Sequence, residues 1–72
     1  MGDKKGTVKF YNKERRFGFI KPDNGGNDIF FFIKAWKEDV DPKEGDSVVY
    51  SERINERKQK LEAYIVSRVE QS

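Results

Sequence analysis

Arg16-Phe17-Gly18-Phe19-Ile20 and Ile29-Phe30-Phe31-Phe32-Ile33 decide how this chain folds. Side chains alternate across a strand, so Phe17 and Phe19 share one face of the first run while Gly18 and Ile20 share the other. In the second run Phe30 and Phe32 share a face, and Ile29, Phe31 and Ile33 take the opposite one. A small barrel has room inside for one face of each strand. The remaining phenylalanines are left outside, where two adjacent strands make a pavement of rings. An outward apolar patch among basic residues marks a binding surface, and flat rings beside cations suit unstacked nucleobases. With Phe10 just upstream, these runs account for six of the ten aromatic residues.

The chain has 72 residues, which sets the expectation of one domain. Leu, Ile, Val and Phe together make 18 residues, above the level that signals disorder, and the net charge of +2 gives little self-repulsion. β-branched and aromatic residues far outnumber Ala, Leu and Met, which favours strands. The absence of cysteine and histidine excludes a disulfide framework, a Cys/His zinc site and Cys- or His-based catalysis. No apolar run approaches the length of a membrane span, and the start resembles neither a signal peptide nor a myristoylation site. A cytoplasmic protein with no cofactor and no membrane partner is the expectation. Charge is unevenly placed: residues 1–34 carry 8 Lys or Arg against 4 Asp or Glu, and residues 35–72 carry 7 against 9. The basic half is also the aromatic half, which turns a surface that drifted basic into a candidate nucleic-acid surface.

Along the chain, Lys5–Asn12 reads as a first strand, in which Phe10 and Tyr11 are adjacent and strict alternation exposes one of them. Lys13-Glu14-Arg15-Arg16 is a charged turn, and Arg16–Lys21 a second strand stopped by Pro22. Asp23-Asn24-Gly25-Gly26-Asn27 is a strong turn signal before a third strand, Asp28–Ile33. Three strands on short turns make an antiparallel meander. Ala35–Val40 reads as one helical turn, with Trp36 as core or barrel plug, and a fourth strand starts at Ser47-Val48-Val49-Tyr50-Ser51. Residues 51–69 remain open between a helix, from the spacing of Ile54, Leu61, Tyr64, Ile65 and Arg68, and a hairpin, from the β-forming cluster Tyr64-Ile65-Val66 and the polar loop Asn55–Gln59. No sequence repeat is present.

Lys9-Phe10-Tyr11-Asn12, Phe17-Gly18-Phe19-Ile20, Asp28-Ile29-Phe30, Gly45-Asp46 and Ala63 through Val66 together resemble the cold-shock domain family over residues 5–69. The resemblance implies an all-β fold, a five-stranded antiparallel β-barrel of OB type, and so a hairpin for residues 51–69. It implies binding of single-stranded RNA or DNA, pyrimidine-rich tracts above all, by an RNA chaperone. Carried over by position, Phe10, Phe17, Phe19 and Phe30 are base-stacking residues, Lys9 and Arg15 are basic contacts, and Asp28 is a carboxylate that hydrogen-bonds a base. Phe32 takes the place of a stacking histidine. Departures are also visible. Arg16 replaces a Gly, Phe31 a Val, Trp36 a smaller residue and Ile33 a binding aromatic. The loop after the third strand is shorter and lacks a phenylalanine, and the last hairpin loop is Glu56-Arg57-Lys58-Gln59-Lys60. Binding over fewer nucleotides follows from these losses.

A protein-interaction barrel that docks a peptide on its aromatic patch is the competing reading, although it has no need of the basic first half. An RNA-recognition fold with a similar Phe-Gly-Phe motif needs two amphipathic helices, and this chain offers at most one. No nucleophile–base pair or metal-ligand cluster supports an enzyme. A monomer is expected.

Overall fold

The computed structural model describes residues 4–69. Five strands, β1 (Lys4–Asn12), β2 (Phe17–Pro22), β3 (Ile29–Phe32), β4 (Ser47–Asn55) and β5 (Lys60–Arg68), close a barrel in the order β1-β2-β3-β5-β4. The helix reading of residues 51–69 falls away: Ser47 through Asn55 and Lys60 through Arg68 are paired antiparallel strands. All the long ladders are antiparallel, and the barrel is closed by a short parallel contact, Phe30 with Glu62 and Phe31 with Ala63. The helical turn lies earlier than Ala35–Val40: it is a 3-10 turn at Ile33–Ala35, so Ile33 leaves the third strand. No helix among the described residues is long and apolar enough to cross a membrane.

Two rows of residues run across β1, β2 and β3. Val8, Ile20 and Ile29 are paired in sequence and point inward, as do Tyr11, Gly18 and Phe31. Phe31 is completely buried, and Tyr11 packs against it at 6.4 Å between centroids, nearly parallel. Gly18 lies between their strands and makes this possible. A Cβ there would stand 2.5 Å from the Phe10 carbonyl oxygen and 2.9 Å from the Phe31 ring. The large ring at Phe31 is therefore matched by the smallest residue beside it and by buried Ala63 on the other neighbouring strand. Trp36 is 7% exposed and plugs the barrel beneath Phe31, with its Nε1 donating to the Val40 carbonyl at 2.7 Å. Burying this indole satisfies its one donor, as a packed Trp requires.

Tyr11 faces inward because β1 contains a bulge. Val8 pairs with Ile20 and Phe10 with the next residue, Phe19, so Lys9 is an extra residue on β1. A bulge shifts the alternation beyond it by one. Strict alternation from buried Val8 would point Phe10 inward; the bulge turns Phe10 out and Tyr11 in.

The hairpin turns β1–β2 and β4–β5 share one construction. Asn12 Oδ1 accepts from the backbone N–H groups of Glu14 and Arg15, both at 3.0 Å, and Arg16 N–H donates to the Asn12 carbonyl at 2.7 Å. Asn55 Oδ1 accepts from Arg57 and Lys58 at 3.0 and 3.3 Å, and Gln59 N–H donates to the Asn55 carbonyl at 2.7 Å. Each turn ends in the left-handed region, at Arg16 (φ 60) and Gln59 (φ 53). Asparagine opens both because its side chain mimics a turn of backbone.

Candidate nucleic-acid interface

The outer face of β1, β2 and β3 carries the residues singled out from sequence. Phe10, Phe19 and Phe30 form one cross-strand row, and Asn12, Phe17 and Phe32 the next. Phe10 is 40% and Phe32 47% exposed, while Phe17, Phe19 and Phe30 are half-buried, shielded partly by one another. Ring centroids lie 6.2 Å apart for Phe10 and Phe17, 5.4 Å for Phe17 and Phe30, and 4.7 Å for Phe30 and Phe32. Phe19 adjoins Phe17 and Phe30 at 6.0 and 5.7 Å, both edge-on. Most neighbours are tilted or perpendicular. Their faces therefore point in different directions, which suits bases splayed apart and not a continuous duplex stack.

Polar groups fringe this surface. Lys9, lifted out by the bulge, donates from Nζ to Asp28 Oδ2 at 2.9 Å. Arg15 is exposed in the β1–β2 turn, next but one to Phe17, and its side chain makes no ion pair among the described residues. Asp28 is exposed immediately before β3. The other seven side chains thus share one side of the barrel, and Arg15 lies in the turn that leads into Phe17.

The structure adds a residue that sequence reasoning left among unplaced loop cations. Lys58 reaches back from the β4–β5 turn, so that its Nζ lies 4.8 Å from the Phe30 centroid and 5.6 Å from that of Phe32. Between this hairpin and the platform is a groove of about 580 Å³, lined by Phe19, Asp28 and Phe30 on one side and Lys58, Lys60 and Leu61 on the other. Only the curl of the hairpin over β3, a tertiary feature, reveals this approach.

A closed five-stranded barrel with a ring-paved, cation-fringed outer face defines an OB-type binding module. The 'Cold-shock' DNA-binding domain model matches residues 4–69. This chain belongs to that family, as a cold-shock domain of the bacterial type. It is 47% identical over 47 residues to cold shock protein CapA of Pseudomonas fragi, covering 62% of this chain and 73% of that one. It is 40% identical over 55 residues to a Sinorhizobium fredii protein named "Probable cold shock protein y4cH", covering 74% and 78%. A cold shock-like protein CspA of Rickettsia typhi is 60% identical over 30 residues, covering 42% and 43%. Membership makes nucleic-acid binding the class of function.

Proposed function

We propose that this chain is a single-domain, monomeric cytoplasmic protein that binds single-stranded RNA or DNA, pyrimidine-rich tracts first, and acts as an RNA chaperone. Unpaired bases stack on Phe10, Phe17, Phe19, Phe30 and Phe32, while Lys9 and Arg15 meet phosphate and Asp28 accepts a hydrogen bond from a base. The observation that carries this reading is the unbroken series of ring neighbours from Phe10 through Phe17 and Phe30 to Phe32. Stacking contributes ~1–3 kcal/mol per base by substitution and tolerates any base, because every base has a π-face. Exposed bases are held and paired ones are not, so binding energy alone shifts RNA toward its open forms. With two or three phosphates neutralised, the log–log salt slope is about −1.5 to −2, and stacking supplies most of the affinity.

The test is the anisotropy of a labelled oligothymidine titrated with wild-type protein, Phe17→Ala and Phe30→Ala. Each substitution is expected to weaken binding at least about fivefold; unchanged affinity in both overturns the mechanism. A label on the oligonucleotide is preferable to the fluorescence of Trp36, which sits 7% exposed beneath Phe31. Chaperone action is read from the opening of a weak RNA hairpin carrying a fluorophore and quencher, without nucleotide hydrolysis.

A further inference from the structure

β5 contains a second bulge, on the far side of Phe32 from the platform. Ser51 pairs with Ile65 and the next residue, Glu52, with Ala63, which leaves Tyr64 as the extra residue. Bulges re-aim side chains, and Tyr64 is turned outward, 41% exposed, with the Arg53 guanidinium 5.1 Å from its ring centroid. Tyr64 and Phe32 line one depression of about 160 Å³, floored by buried Ala35 and Ala63 and rimmed by Lys34 and Arg53.

We infer that this depression is an additional nucleotide subsite, which takes one unpaired base from the same strand after it has crossed Phe32. The inference rests on the platform reading above and extends the track around the barrel. Three observations favour this occupant. Phe32 belongs to both surfaces, its ring 4.7 Å from Phe30 on one side and lining the depression on the other. The two alanines keep the floor low, leaving room for a flat heterocycle between aromatic walls. Lys34 and Arg53 are exposed and take part in no ion pair among the described residues, so Lys34 is left for the phosphate joining this nucleotide to the one on Phe32, and the Arg53 guanidinium turns to that phosphate when the base takes its place over the Tyr64 ring. The remaining charged wall, Glu62, accepts a hydrogen bond from Asn55 Nδ2 at 3.2 Å. The alternative, a surface pair in which Arg53 merely shields Tyr64 from water, predicts no effect on ligand length.

The experiment measures affinity for a ladder of oligothymidines of increasing length, using wild type, Tyr64→Ala, Tyr64→Phe and Phe30→Ala, each checked for folding by circular dichroism. The expected result is a loss of about tenfold for Tyr64→Ala on the longest oligomers. That loss disappears on oligomers too short to pass Phe32, and Tyr64→Phe retains wild-type affinity throughout. Photocrosslinking of a 5-iodouracil-substituted oligomer is expected to label the peptide containing Tyr64. If Tyr64→Ala binds every length as wild type does while Phe30→Ala is impaired, the subsite is wrong and the platform stands. If Phe30→Ala also binds normally, as does Phe17→Ala in the oligothymidine titration, the platform reading itself has failed.

Discussion

Lys9 and Asp28, both expected to meet the nucleic acid, meet each other in the free protein: Nζ lies 2.9 Å from Oδ2, joining the β1 bulge to the start of β3. Their side chains are 58% and 35% exposed, so the pair is solvated and weak, worth ~0–1 kcal/mol. A ligand can open it at little cost, freeing the ammonium for phosphate and the carboxylate for a base. Asp28→Asn removes a negative charge from this path. At low salt it is expected to raise affinity about two- to threefold for homopolymers whose base makes no hydrogen bond to the carboxylate, and not for the one whose base does, so that the differences among them narrow. Titrations against the four homopolymers check this; a uniform loss of affinity contradicts it.

Lys58 covers Phe30 and Phe32 before any base does. Such a contact on an exposed ring is worth only ~0.5–1 kcal/mol, so a base is able to displace the ammonium toward phosphate. Lys58→Met keeps most of the stem and removes the charge. The salt slope is expected to become shallower by about 0.7, the share of one phosphate on a single strand, with affinity at high salt unchanged. Dissociation constants over a range of salt concentrations measure it.

Gly18 is held by contact with its neighbours, since its missing Cβ would collide with the Phe10 carbonyl and the Phe31 ring. Gly18→Ala is expected to cost about 2 kcal/mol, or roughly 10 °C in Tm for a domain of this size. Thermal unfolding followed by circular dichroism reads this directly.

Arg16 occupies a left-handed position, φ 60, which costs an L-residue ~1–2 kcal/mol. Glycine escapes that cost but loses more freedom on folding. Arg16→Gly is therefore expected to stabilise by about 0.5–1 kcal/mol in urea unfolding, and any accompanying loss of affinity reports a phosphate contact by the guanidinium.

Tyr11 has its phenol pKa raised, first by burial and then by the Asp41 carboxylate, with Arg16 opposing. The folded state thus holds this proton more tightly than the unfolded chain. The resulting stability is complete below the ordinary tyrosine pKa of about 10 and is lost as pH rises through the higher folded value. Tyr11→Phe is expected to flatten the alkaline fall in stability, measured by urea unfolding at a series of pH values.

The alternation of Phe17–Ile20 and Ile29–Phe32 was legible in the sequence because two paired strands without a bulge obey a period of two. Alternation separated Phe31 from Phe30 and Phe32 and put Phe17 with Phe19, and the family resemblance then settled which faces turn outward. Phe10 and Tyr11 were ambiguous because their orientation depends on an inserted residue whose presence shows only in the pairing with β2. Residues 51–69 resisted local reading for a similar reason. The bulge at Tyr64 breaks the two-residue rhythm and leaves apolar residues at spacings that mimic a helix. Lys58 and the Arg53–Tyr64 pair were out of reach because they depend on where one hairpin lies over another strand.

Five phenylalanines facing water on adjacent strands would ordinarily invite another chain to add itself to the sheet. Here β4 pairs with β1 and β5 with β3, so the strand order returns on itself and no strand among the described residues is left at an edge. Closure withholds the unpaired backbone that templates fibrils. It thereby lets the domain keep an adhesive face open without polymerising through it.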